Sequence, residues 1–176
     1  MGCTYQHTVA VTQTGLARMG WSDSQQLSRK QAFILPADSI LYVAYPKSDD
    51  PNNAMPRFRT HMQQALVNAG EQHGLSTHAG GYELNLYNAM SDALLRGCDF
   101  LMDVNITQLR SSQNHDDASG EYQIYLKLYD VRSSKLLETL VVTADSGLAP
   151  SGNQNLQQMQ ISAQSIMSQL FTAPQS

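Results

Sequence analysis

An alternating pattern in the C-terminal half of the chain constrains the fold most. Within 122–128 every even-numbered residue is apolar or aromatic, and after a turn predicted at 130–134 a further strand runs from Lys135 to Thr143. The run 100–106 alternates in its later part, where Met102, Val104 and Ile106 share one face. Because a period of two places one side-chain set on one face of a sheet, these segments predict an antiparallel meander with one buried face.

Helices and two more strands are predicted in the rest of the chain. Apolar residues spaced three and four apart indicate amphipathic helices, and short β-branched runs between turn residues indicate strands. In chain order the segments are a strand at Ser39–Ala44, a helix with apolar residues from Met55 to Ala69 and an end at Gly70, a brief strand at Leu75–Ala79, a helix at Glu83–Arg96 and a closing helix marked by residues 156–170.

These elements predict an α/β (α+β) domain, a single mixed sheet of about five strands packed by about three helices. Right-handed crossovers are expected to place the first two helices on a shared face of the sheet. We assign residues 30–176 to this single domain. Residues 1–29 are expected to form a tether or a loosely docked segment, because Thr, Gln and Gly are frequent there and apolar residues are scattered.

Composition and charge exclude some classes of function. The 176 residues are 41% hydrophobic and 15% charged, with a net charge of −4 and no run of Lys or Arg. A domain without a basic patch has no electrostatic footprint for nucleic acid, so we do not expect a nucleic-acid partner. No stretch approaches the ~20 apolar residues of a membrane-spanning helix, so membrane contact is expected through a lipid anchor only.

The first three residues, Met1-Gly2-Cys3, predict a lipid-attachment site at Cys3. Lipoprotein processing cleaves before a cysteine that follows a small residue, and the acyl chains then added, such as palmitate, hold the protein to a membrane. Thr4, which is not acidic, favours the outer membrane, with the domain facing the periplasm. N-myristoylation is disfavoured because Gln6 stands where Ser or Thr is required, and a cytosolic protein beginning Met-Gly-Cys stays an alternative.

Three short segments resemble the sequences of a family of short proteobacterial envelope lipoproteins that carry a domain of unknown function. They are Leu35–Ala44, Ala93–Leu101 and Leu126–Val131. The same segments are similar to sequences of small α/β domains such as the N-terminal domain of TolB-like proteins. The resemblance implies a non-enzymatic interaction module that binds another envelope component, either a protein or a part of the cell wall, and it brings no active site with it.

The search for catalytic and metal-binding motifs yields no catalytic residue, cofactor or metal site. The Gly-x-Ser-x-Gly signature is absent, and Gly80-Gly81 lacks the Lys and Ser or Thr of a phosphate loop. His115-Asp116-Asp117 is interpreted as a solvated hairpin tip, since adjacent residues rarely converge on one ion. The alternatives are an envelope hydrolase with His61, His78 or His115 as its base, and a structural subunit that assembles through an exposed edge strand.

Two tyrosines of the meander are candidates for partner binding. Tyr125 and Tyr129 fall on the face opposite the apolar stripe, where they either pack under a helix or form an amphipathic patch of the kind found at interfaces. Cys98 precedes an apolar run and is expected to be a buried thiol.

Overall fold

A computed structural model describes residues 26–49, 56–82, 84–111, 120–144 and 163–171. The strands of this part are β1 (Gln26–Arg29), β2 (Ile40–Val43), β3 (Lys47–Ser48), β4 (Ser76–Ala79), β5 (Phe100–Ser111), β6 (Gly120–Asp130) and β7 (Leu136–Ala144). Its helices are α1 (Pro56–Gln72), α2 (Leu86–Leu95) and α3, which comprises the helical residues 163–171. No helix in these ranges is long and apolar enough to cross a membrane.

The strands form one mixed sheet in the order β1-β7-β6-β5-β2-β4, with β3 paired to β5. The β1, β7, β6 and β5 pairings are antiparallel, and β2 is parallel to both β4 and β5. The predicted fold class and its meander are confirmed. The strand count exceeds the prediction because β1 and the two-residue β3 are too short to show an alternating pattern. The sheet therefore begins at residue 26, inside the segment predicted as a tether.

Helices α1 and α2 lie on opposite faces of the sheet, so the predicted shared face is wrong. Helix α1 connects β2 to β4, and α2 connects β4 to β5 on the other side of β2. The two crossovers run in opposite directions across the sheet. Since parallel crossovers have the same hand, a reversal of direction moves the second helix to the other face.

Two cores result, one on each face. The larger core contains α1, α3 and the inward residues of the meander, including the predicted set Met102, Val104 and Ile106, which are fully buried. The smaller core lies under α2 and comprises Tyr42, Ala44, Ala89, Ala93, Cys98, Leu101 and Val131. Because neighbouring residues of a strand point to opposite faces, β2 supplies Leu41 and Val43 to the first core and Tyr42 to the second.

The ends of the helices show where glycine is required. Helix α1 continues past Gly70, which was predicted to end it, and stops before Gly74, whose φ of 85° is left-handed. Gly70 serves packing instead, because a Cβ there would lie 2.7 Å from Cγ2 of Thr77 on β4. Gly97, at φ 71°, follows α2 as predicted, and the bonds from Gly97 N to Leu94 O and from Cys98 N to Ala93 O complete a Schellman motif.

A buried ion pair joins β1 to β7 and α3. The Arg29 guanidinium lies 3.1 Å from the Glu138 carboxylate, and their side chains are 4% and 0% exposed. Arg29 also donates to the carbonyls of Phe33 and Gln169, while Glu138 accepts from the backbone N–H of Gln31. The polar atoms of the pair thus have several hydrogen-bond partners besides each other, which is the condition under which two buried charges are tolerated.

We predict that Arg29→Met destabilises the domain by about 3 to 5 kcal/mol, because it leaves the Glu138 carboxylate buried without its cation. Urea unfolding of the purified domain measures this change. The control is Lys135→Met, which removes the cation of an exposed side chain and should change stability by less than about 0.5 kcal/mol. Adding Glu138→Leu to Arg29→Met should recover much of the loss. Equal unfolding midpoints for the two single variants would contradict the assignment.

Candidate functional surface

Helix α2 presents an apolar face that no described residue covers. Tyr87 is 80% exposed, Leu94 56% and Leu95 86%, and Ser91 lies exposed between them. Ser91 lies four residues from both Tyr87 and Leu95 and three residues from Leu94, so these residues share one side of the helix. Isolated exposed leucines are ordinary on protein surfaces, but three large exposed apolar side chains on one side of a short helix form a candidate interaction surface.

The opposite side of α2 packs on the sheet. Ala89 and Ala93 are fully buried against Tyr42 and Leu101, and Leu86 and Met90 pack at the margin of this core. The spacing of Leu86, Met90, Ala93 and Leu94 in the sequence predicts one packed face for all four residues, and this is wrong for Leu94, which is 56% exposed. The small side chains of Ala89 and Ala93 bring the helix close to the sheet along a narrow strip, and Leu94 falls outside that strip.

A polar network fixes α2 over β2. The Tyr42 hydroxyl lies 2.7 Å from Oδ2 of Asp92, and the Arg96 Nε donates to both oxygens of the same carboxylate at 3.1 Å. The Tyr42 hydroxyl and then the Arg96 guanidinium lower the pKa of Asp92. Burial, followed by the bond to Asp92, raises the pKa of Tyr42 far above its usual range. Asp92 is therefore ionised and Tyr42 neutral near pH 7, so the network persists there.

Gly80 allows the Tyr42 ring to occupy this position. A Cβ at Gly80 would lie 2.7 Å from the Tyr42 hydroxyl oxygen and from Cε1 of its ring. Only a glycine leaves room for the ring between the end of β4 and α2. Gly80 therefore helps to determine where α2 packs on the sheet.

A crevice of about 420 Å³ lies at the carboxyl ends of β2 and β4. The chain leaves these neighbouring strands toward helices on opposite faces, and in open α/β sheets such a reversal opens a crevice. The loop after β2 lines one wall and the start of α2 lines the other. The lining residues are Tyr45, Pro46, Lys47, Ser48, Asp49, Arg59, Leu84, Asn85 and Asn105.

Charged groups in the crevice are held by neighbours on β5 and by aromatic rings. The Arg59 guanidinium carbon lies 5.2 Å from the Tyr45 ring centroid and 5.8 Å from that of Tyr82, distances typical of cation–π contacts. Lys47 Nζ lies 2.7 Å from Oδ1 of Asp103. These contacts tie the crevice wall to the sheet.

Asp49 is tied to β5 in the same way. Its carboxylate accepts hydrogen bonds from Thr107 at 2.7 Å and Asn105 at 2.9 Å, and these bonds lower its pKa. The residues Asp49 to Asn53 favour, by their sequence, an N-cap for the helix that follows, but the Asp49 side chain bonds to β5.

The candidate partner-binding tyrosines have different surroundings. Tyr129 is half-buried against the smaller core under α2, and burial raises the pKa of its hydroxyl. Tyr125 lies farther along β6, opposite Asn105, and donates to Oε1 of Gln123 at 2.6 Å. Neither residue lies on α2, and their role in partner binding stays a prediction. Cys98 is buried as predicted, and Cys3 lies outside the described residues.

Two of the histidines proposed for the hydrolase alternative lie in the described part of the chain, on separate elements. His61 is exposed on α1, His78 is half-buried on β4, and His115 lies outside the described residues. Neither His61 nor His78 is among the described residues that line the crevice. Among the described residues, no group of three or more His, Cys, Asp or Glu side chains could hold a metal ion.

Two features of the surface were missed from the sequence. Seven of the ten residues of α2 are apolar or aromatic, which is more than one packed face can use. The apolar sector of α2 is therefore wider than the strip that Ala89 and Ala93 bury, and this width is the sequence signal for its exposed apolar side. The clustering of Arg59 with Tyr45 and Tyr82 has no sequence signal, because it joins residues from three separate segments.

Comparison with known proteins identifies the fold and goes no further. No protein-family profile and no curated protein matches the chain. Two crystal forms of the PelC dodecamer from Paraburkholderia phytofirmans, one of them of a PelC variant, each match with a TM-score of 0.58 and 14% identity. The matches cover 83% and 86% of this chain and 97% and 99% of the PelC chains.

A lipoprotein is also among the similar structures. GNA1162 from Neisseria meningitidis matches with a TM-score of 0.48 and 16% identity, over 77% of this chain and 98% of that one. The lipoprotein family inferred from the sequence and the likeness to TolB-like domains stay predictions. The chain has the fold of PelC, and that shared fold is what the comparisons establish.

Proposed function

We propose that this chain is a non-enzymatic outer-membrane lipoprotein whose periplasmic α/β domain binds another envelope component through the exposed face of α2. The uncovered apolar stripe on that helix is the observation that carries the proposal. A short helix with one face in the core and an aliphatic face in solvent is stable in water but gains free energy when a partner covers it.

The comparison with PelC supports an assembling protein. Both PelC structures of this fold are dodecamers, so the fold is compatible with repeated contacts between domains. Strand β4 ends the sheet on the side of α2, and β1 ends it on the other side. Both edge strands have only four residues, which limits pairing of sheets edge to edge and favours contacts through helices.

The lipid anchor is supported by the sequence Gly2-Cys3. The distance between Cys3 and β1 is more than twenty residues of sequence, enough for the domain to stand away from a membrane surface. An anchor of several acyl chains would hold the protein stably, since each buried CH₂ contributes ~0.8 kcal/mol of membrane affinity.

The anchor predicts a difference between the wild-type precursor and Cys3→Ser in a bacterial host. The wild type should sediment with outer membranes and show an intact mass increased by acyl chains, because only a thiol can form the thioether to the lipid. The Cys3→Ser protein should be recovered unmodified in the soluble fraction. Equal masses and equal fractionation of the two proteins would contradict the lipoprotein proposal.

The docking face predicts a site-specific photocrosslink. A photoreactive amino acid at position 95, in the lipidated protein in its own envelope, should give a discrete adduct of higher mass, because Leu95 is the most exposed residue of the stripe. The same residue placed at position 64 is the matched control, since Gln64 is exposed on α1, which lies on the other face of the sheet. Adducts of equal yield at both positions, or none at 95, would contradict docking through α2.

A further inference from the structure

A buried valine on β7 belongs to neither of the two cores. Val141 is 8% exposed, yet among the described residues it is part of neither the larger nor the smaller core. Its neighbours Leu140 and Val142 lie in the larger core, so Val141 points to the opposite, outer face of the sheet. Thr139, on the same face, is 4% exposed. Antiparallel sheets commonly leave one face solvated, but this part of the outer face is covered.

The strands beside Val141 do not account for its burial. Ser28 on β1 and Tyr125 on β6 stand opposite Val141 in the two neighbouring strands. Ser28 is too small to cover a valine, and the Tyr125 hydroxyl donates to Gln123 of its own strand, so the ring leans along β6. Helix α2 packs on β2 and β5, and β5 is two strands away from β7. The covering group therefore comes from outside these elements.

Most of the chain outside the described ranges is unsuited to cover this face. The segments 112–119 and 172–176 contain no large apolar residue, and 145–155, after β7, contains only Leu148. The segments 50–55 and 156–162 lead into α1 and α3, whose buried residues belong to the larger core on the opposite face.

The segment that precedes β1 combines apolar side chains with the right position. Leu16, Met19 and Trp21 lie within six residues of one another, and the chain then enters β1 at Gln26. Strand β1 is paired directly with β7, the strand that carries Val141. An apolar cluster therefore adjoins the covered face in sequence.

The connection is long enough for Trp21 to reach Val141. Gln26 stands opposite Thr143, which is two residues along β7 from Val141. Val141 is thus about 8 Å from the start of β1, at ~3.3 Å per residue and ~4.8 Å per strand. The chain from Trp21 to Gln26 spans up to about 16 Å when extended, and a loop this short costs little closure entropy.

We propose that residues 16–24 lie across the outer face of the meander, with Trp21 over Val141. Trp is among the side chains that bury the most surface, and the contact removes apolar surface of both residues from water. The arrangement leaves residues 4–15 as the tether. It depends neither on lipidation nor on docking through α2, so its failure would leave the proposed function standing.

The fluorescence of Trp21 tests this contact, because Trp21 is the only tryptophan of the sequence. In the folded Cys3→Ser protein, the emission should lie at shorter wavelength than in the same protein unfolded in urea. Acrylamide should also quench it several-fold less in the folded protein, since a covered indole ring is shielded from the quencher. Identical emission and quenching in the two states would overturn the proposal.

A charge at position 141 should release Trp21. The Val141→Asp variant should shift the emission toward that of the unfolded protein, because a carboxylate covered by an indole ring loses its hydration. Leu95→Asp is the matched control, since Leu95 is 86% exposed on α2 and its replacement should leave the emission unchanged. Urea midpoints show that both variants are folded. Shifts of equal size in the two folded variants, or none in Val141→Asp, would overturn the contact with Val141.

A thiol at position 141 tests the same contact without adding a charge. In the Cys3→Ser protein, Val141→Cys should react with iodoacetamide several-fold more slowly than Ser133→Cys, whose thiol lies at an exposed turn. Adding Trp21→Gly should raise the rate at position 141 and leave the rate at position 133 unchanged. Cys98 contributes little, because it is 3% exposed and burial raises the pKa of its thiol. A rate at position 141 that Trp21→Gly does not change would overturn the proposal.

Discussion

Strand β2 is buried on both faces, and its place between β4 and β5 decides where the remaining elements lie. Leu41, Tyr42 and Val43 are each fully buried, two facing the α1 core and one facing α2. Because the chain leaves β2 in one direction and crosses back over it to reach β5, the two crossover helices must lie on opposite faces. This change of crossover direction opens the crevice at the carboxyl ends of β2 and β4. It also places α2 over the smaller core, on the face of the sheet opposite α1 and α3.

The isolation of α2 explains why its outer face is uncovered. On the other side of the sheet α1 and α3 pack together over the meander, and His73 at the end of α1 stacks on Phe171 at a ring distance of 5.0 Å. Among the described elements, α2 has no such neighbour. It is held by Ala89 and Ala93, by Leu86 and Met90 at the margin of the core, and by the network of Tyr42, Asp92 and Arg96. These contacts leave Tyr87, Leu94 and Leu95 exposed.

The sequence predicted the elements better than their arrangement. The alternation of apolar and polar residues identified β5, β6 and β7, because such antiparallel strands turn one face to the core and the other face outward. Gly97 marked the end of α2, because the residue there has a left-handed backbone conformation. The faces of the two crossover helices could not be predicted, since strand order depends on contacts between distant residues. Leu94 was misplaced for a related reason: the apolar sector of α2 is wider than its packed strip, and residue spacing alone does not show where the packed strip ends.

Strand β1 and helix α2 are secured independently of each other. The buried pair of Arg29 and Glu138 fastens β1 to β7 and α3. Helix α2 packs on β2 and β5, and β2 is four strand spacings from β1, or about 19 Å at ~4.8 Å per strand. Because Tyr42 and Asp92 hold α2 on the other face of the sheet, loss of the ion pair would loosen β1 without removing the contacts that position α2.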